Sequence, residues 1–294
     1  MSSRTEVAAS GPRCGIEPAP HVSRFIDAGG MRLHYLDYGT EGRAPMLCVH
    51  GSAAHAHWFD YVAASFAPDY HVRSLDLRGH GDSDWVDPPA YCYKDYAADV
   101  HAAVETLDLR DFVLVGHSMG GMVSLLYAAT YPGRVRKLIL VDSSLRLSDE
   151  RMSTLRAVGS RPGSTYATQE ELVSGYRLRP GHSAAGPEVV RHIATQGSRQ
   201  LADGGWKLKF DRRLYATRDS LDGRPYWNRI GIPALLVGCE GSTRVTPEAC
   251  ADVKARCPQV EFAMVAHCGH HVMLDNPAGF VEAVRGFLDK TRDS

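Results

Sequence analysis

The chain has 294 residues, 44% hydrophobic and 23% charged, which are the proportions of an ordinary globule and exclude a disordered, collagen-like or membrane-embedded protein. Its 33 Lys and Arg against 34 Asp and Glu leave a formal charge of -1, so no global field draws it to nucleic acid or to an anionic membrane. The expected partner is a small molecule, with the oligomeric state left open. Seven scattered cysteines, odd in number and without a CxxC pair, point to reduced thiols in the cytoplasm and away from a metal site.

Residues 1–22 are rich in Pro, Gly, Ala and Ser and lack an apolar stretch long enough for a signal peptide or anchor, so they read as a disordered tail. From Arg24, the run RFIDAGGMRLHYLDYG alternates around Gly29-Gly30 and predicts a hairpin. Short apolar runs follow: APMLCVHG, HVRSLDLRG, FVLVGHS and VRKLILVD. Segments of helical periodicity such as YKDYAADVHAAVETL separate them, so the sheet is expected to be largely parallel. After Asp142 the alternation stops for about ninety residues, and Arg, Gly, Ser and Pro rise around helical pieces such as TQEELVSGYRL. It resumes with the strand IPALLVGCE, the helix TPEACADVKARC, the strand VEFAMVAH and the closing helix NPAGFVEAVRGFLDK. The expected organisation is a core made of residues 23–143 and 228–294, interrupted by a cap at 144–227.

Gly116-His117-Ser118-Met119-Gly120 is a G-x-S-x-G placed where the buried run FVLVG meets an apolar helix. A sharp turn there exposes the Ser118 hydroxyl, and the flanking glycines remove Cβ atoms that would clash with strand and helix. Ser118 is the expected nucleophile. The helix begins just after it, so the Met119 N–H points where an oxyanion would form. A second donor, the Ser52 N–H, is expected from His50-Gly51-Ser52 after the run APMLCV. His50 reads more as a brace of that turn than as a base.

The base should follow the nucleophile along the chain, and VAHCGHHVMLDNP supplies it between the last strand and the last helix. His270, after Gly269, is the choice. His271 is the alternative, since adjacency lets only one of the two face inward, and His267 ranks behind both.

The motifs H-G-S, D-L-R-G-H-G-D-S, G-H-S-M-G-G and G-H-H-V-M-L-D-N-P, in this order, resemble the α/β-hydrolase superfamily of esterases, C–C hydrolases and related enzymes over about residues 24 to 290. The resemblance implies an α/β fold: a mostly parallel eight-stranded sheet flanked by helices, with an inserted helical cap. It implies no cofactor. Members commonly carry an Asp after the strand matching IPALLVGCE, but GCEGSTRV offers Ser242 there. Two carboxylates could take its place: Asp142, at the end of VRKLILVD, and Glu240. Asp142 is preferred, because relatives resembling haloalkane dehalogenases and zearalenone-type lactone hydrolases place the acid after the sixth strand. A serine nucleophile argues against the dehalogenase and epoxide-hydrolase routes of the fold.

The expected substrate is a small apolar or aryl ester, held by His50 and by the cap aromatics Trp206 and Phe210, which could equally pack cap onto core. C–C bond hydrolysis, lactone hydrolysis and thioester hydrolysis use the same triad. A non-catalytic ligand-binding protein on this fold, or a cofactor-free lyase or oxygenase, is the reading of another class.

Overall fold

A computed structural model describes residues 17–291. Ten strands form: β1 (Val22–Asp27), β2 (Arg32–Asp37), β3 (Ala44–Val49), β4 (Tyr70–Leu75), β5 (Phe112–His117), β6 (Val135–Val141), β7 (Ser198–Gln200), β8 (Trp206–Leu208), β9 (Ala234–Cys239) and β10 (Glu261–Val265). Eight of them make one sheet in the order β1-β2-β4-β3-β5-β6-β9-β10. The β1–β2 and β2–β4 pairs are antiparallel, and every pair from β4 to β10 is parallel. The opening hairpin turns at Gly29 and Gly30, whose φ of 68° and 84° suit residues without a Cβ.

The interior strands β5 and β9 are buried at every residue, which is why they read as continuous apolar runs without alternation. Their side chains still divide between two faces. Leu47, Val49, Phe112 and Leu114 join one core with Tyr96, Val100 and Val104 of the helix Tyr93–Thr106 and with Val123 and Leu126 of the helix Met119–Thr130. Met46, Cys48, Val113 and Val115 join the opposite core with Trp58, Phe59 and the closing helix Pro277–Lys290. Covering both faces leaves the strand ends as the place where loops meet.

The inserted segment carries the helices Asp149–Gly159, Gln169–Gly175 and Pro187–Gln196. It is not wholly helical as expected: β7 and β8 form a hairpin around Gly204, at φ 88°. The turn signal Asp203-Gly204-Gly205 lies between runs too short to show a period of two.

Residues 1–16 of the expected tail lie outside the described residues. The rest of it is ordered: Ala19 is buried and its N–H donates to the Asp60 carbonyl at 2.8 Å, just before β1. A small residue between prolines can be buried as readily as exposed, and composition does not distinguish the two. Among the described residues no helix is long and apolar enough to cross a membrane.

Candidate active site

Ser118 sits at φ 53° and ψ −115° between β5 and the helix Met119–Thr130. For a non-glycine residue this backbone is strained, and its neighbours hold it there. The Ser118 N–H donates to the Val141 carbonyl at 2.8 Å, pinning the turn to β6. A Cβ on Gly116 would come within 2.5 Å of the Gly120 carbonyl, and one on Gly120 within 2.4 Å of the Val49 carbonyl. Glycine is therefore required at both positions for β3, β5 and the helix to meet. Met119 opens that helix, so its N–H is among those with no partner inside the helix.

Ser52 and Met119 line the same cavity as Ser118. The loop after β3 lies against Ser118, since a Cβ on Gly51 would stand 3.2 Å from the Ser118 Cβ.

His270 is 8% exposed, and its Nδ1 lies 2.6 Å from Asp142 Oδ2. Asp142 is fully buried at the end of β6, with φ 42°. Ser242 donates its hydroxyl to Asp142 Oδ1, and Arg244 Nη1 donates to Oδ2 at 3.3 Å. So Ser242, which stands in the loop after β9, hydrogen-bonds the carboxylate that follows β6. Glu240 is exposed and accepts from the His267 N–H at 3.3 Å, away from His270.

With Nδ1 committed to Asp142, Nε2 is the free nitrogen of His270. Burial pushes its pKa below the ordinary 6.5, and Arg244, His271 and Arg151 push it the same way. The ring is neutral at pH 7 and can accept a proton. Burial raises the Asp142 carboxyl, against the lowering by Ser242 and Arg244.

The adjacent histidines have separate tasks. His271 Nδ1 accepts from Trp58 Nε1 at 3.5 Å, which turns its ring toward the core. His117, within the motif itself, was not singled out in the sequence. It is buried beside Ser118 and its Nε2 donates to the His270 carbonyl at 2.9 Å, tying the two loops together.

The three residues expected against the substrate are corrected by their positions, since none lines the cavity at Ser118. His50 is fully buried; its Nδ1 donates to the Gly51 carbonyl at 2.7 Å and its Nε2 accepts from the Leu77 N–H at 3.1 Å. Both nitrogens are spent on the turn. Trp206 pairs its backbone with Tyr166 at 2.8 and 2.9 Å and packs within the cap, beside Leu172 and Val173. Phe210 meets Tyr215 edge-on at 6.1 Å and packs against the core. The signal missed was charge: Arg151, Arg179, Arg218 and Arg244 line the cavity, which holds about 110 Å³.

Two groups of potential metal ligands, His21-His57-Asp60 and His34-Asp76-Asp82, lie outside this cavity. In each the buried carboxylate already accepts hydrogen bonds, Asp60 from Tyr38, His57 and His192, and Asp76 from His34 and two backbone N–H groups.

An eight-stranded, mostly parallel sheet with a serine on the strained turn after β5 and an Asp–His pair from the loops after β6 and β10 defines a hydrolase of the α/β class. The chain belongs to the alpha/beta hydrolase family, whose pattern matches residues 46–283. It is 28% identical over 271 residues to a 2-(acetamidomethylene)succinate hydrolase of Mesorhizobium japonicum, covering 91% of this chain and 95% of the relative. It is 26% identical over 278 residues to an N-formylmaleamate deformylase of Pseudomonas putida, covering 90% and 95%. The solved structure of an E-2-(acetamidomethylene)succinate hydrolase superposes with a TM-score of 0.82 at 25% identity, over 92% of this chain and all of that one.

Proposed function

We propose that this hydrolase cleaves a small acyl compound through a covalent acyl-enzyme on Ser118. The observation carrying the reading is the 2.6 Å contact between His270 Nδ1 and Asp142, with Nε2 of the same ring left for a serine on the shared cavity. Ser118 Oγ attacks the carbonyl carbon while His270 Nε2 takes the hydroxyl proton. The tetrahedral oxyanion is held by the Met119 and Ser52 N–H groups, a term worth about 3 kcal/mol per donor. Collapse expels the leaving group, which takes the proton from His270. Water then attacks the acyl-enzyme, giving its proton to His270, and the acid product departs as the proton returns to Ser118. Asp142 holds the ring in the tautomer that makes Nε2 basic and stabilises the imidazolium when it forms.

The carboxylic ester stays as the bond first expected, with lactone, thioester and C–C bonds open to the same residues. The relatives' names, which contain an acetamido and an N-formyl group, add a bond to nitrogen. An apolar or aryl preference loses its basis with the displacement of Trp206 and Phe210 from the cavity. A small-molecule substrate and a cytoplasmic setting remain our reading, the latter because the six described cysteines are unpaired.

The decisive experiment is labelling with a fluorophosphonate. One probe should attach per chain, at Ser118, and Ser118→Ala should abolish both labelling and turnover of p-nitrophenyl esters. A folded protein whose Ser118 stays unlabelled overturns acyl transfer in favour of a binding protein or a lyase.

A further inference from the structure

We propose that the cavity at Ser118 is built for a short acyl substrate bearing its own carboxylate, received by Arg218, with Arg151 and Arg179 attracting the anion at the mouth. For the bond that is cleaved this rests on the serine-hydrolase reading; for the anion that is bound it does not.

The cavity is lined by four arginines and by no Asp or Glu. Arg244 has a counter-ion, Asp142, at 3.3 Å. Arg218 has none among the described residues. It is only 4% exposed; its Nη2 donates to the Ser52 hydroxyl, its guanidinium lies 5.6 Å from the Tyr215 ring, and its Nε is buried without a partner. Neutral oxygens and a ring face do not replace the water a cation loses on burial, whereas a carboxylate does. A planar guanidinium with free donors is also the side chain best matched to a carboxylate's two oxygens.

The position of Arg218 limits the ligand. Its partner Ser52 belongs to the loop whose Gly51 abuts Ser118, so a carboxylate on Arg218 lies only a few bonds from the carbonyl under attack. A volume near 110 Å³ suits a chain of that length. Arg151, on the cap helix Asp149–Gly159, and Arg179 are both exposed and have no ion pair among the described residues. They leave the entrance positive, in a protein whose formal charge is -1. That field speeds the arrival of anions and weakens with salt.

Mono-p-nitrophenyl glutarate and p-nitrophenyl valerate carry acyl chains of the same carbon count, one ending in a carboxylate and the other in a methyl. The expected result is a kcat/KM at least about tenfold higher for the glutarate ester at low salt, carried mainly by KM and reduced by added NaCl. The ratio should collapse in Arg218→Gln, survive in part in Arg218→Lys, and fall moderately in Arg151→Gln, an exposed change that leaves the folded core untouched. Equal or better use of the valerate ester overturns the proposal. Calorimetric titration of free glutarate into Ser118→Ala separates the two readings: saturable binding, weakened at least about tenfold by adding Arg218→Gln, upholds the anion site even if no ester is cleaved. Absence of binding refutes it even if Ser118 proves to be the nucleophile.

Discussion

Asp142 Oδ2 and His270 Nδ1 lie 2.6 Å apart although 128 residues separate them in the chain. Asp142 follows the end of β6, and the loop after β9 contributes Ser242 as a hydrogen-bond donor to the same carboxylate.

Asp142→Asn should lower kcat on the order of 10⁴-fold with little change in the thermal midpoint, because an amide cannot hold the imidazolium or fix its tautomer. Glu240→Gln should stay within about twofold of the parent, as an exposed substitution away from the cavity does. Steady-state kinetics on purified variants decides between them, and the opposite ranking would make Glu240 the acid.

The pH profile follows from the neutral state of His270. Its folded pKa lies below 6.5, so kcat/KM should rise with pH through an acid limb below that value and be level through neutrality. Arg244 disfavours the protonated ring, and it also screens the Asp142 charge. Arg244→Gln removes both effects, so the acid limb should move up toward 6.5. A limb that moves down, or one above 7 in the parent, contradicts this account of the electrostatics.

Acid stability should depend on Asp60 and Asp76. Burial alone would raise both pKa values, but hydrogen bonds from His192 and His57 to Asp60, and from His34 to Asp76, bring them below the ordinary 3.8. A lowered folded pKa stabilises the fold above the unfolded value, and that stability is lost as pH falls through the folded one. Urea melts between pH 3 and 7 should show the loss beginning near pH 4. Asp60→Asn should cost about 2–4 kcal/mol at pH 7, since its amide nitrogen cannot accept from the donors that one carboxylate oxygen served, and should flatten the pH dependence, since the amide does not titrate.

His50→Leu separates bracing from binding. It removes the acceptor of the Leu77 N–H and the donor to Gly51, so stability should fall by about 1–3 kcal/mol. Trp206→Ala should leave KM unchanged, since that ring packs inside the cap. A raised KM in a folded Trp206 variant would return the ring to the substrate site.

Gly120→Ala tests the packing under the nucleophile. The added methyl carbon would sit 2.3 Å from the His50 carbonyl oxygen, a contact with backbone on both sides that no rotamer relieves. Destabilisation of more than about 3 kcal/mol, or failure to fold, is expected in denaturant titration.

The amino-acid sequence by itself determined the features whose causes are local. The apolar runs with their turn glycines identify the strands. The setting of Ser118, a buried run followed at once by a glycine-rich helix start, follows from the sterics of a few adjacent residues. What only the tertiary structure decided depends on meetings between distant segments. Both Asp142 and Glu240 end apolar runs, and nothing in their neighbours says which reaches His270; the folded loops do, burying Asp142 against His270 Nδ1 and leaving Glu240 exposed on the His267 N–H. The charge of the cavity is the clearest case. Arg151, Arg179 and Arg218 are scattered through an inserted segment rich in arginine and Arg244 lies beyond it, while Trp206 and Phe210 looked like the natural lining. A side chain's energy depends on what surrounds it after folding, so the aromatics went to packing and the guanidinium of Arg218, without a counter-ion among the described residues, came to lie beside the loop that abuts Ser118.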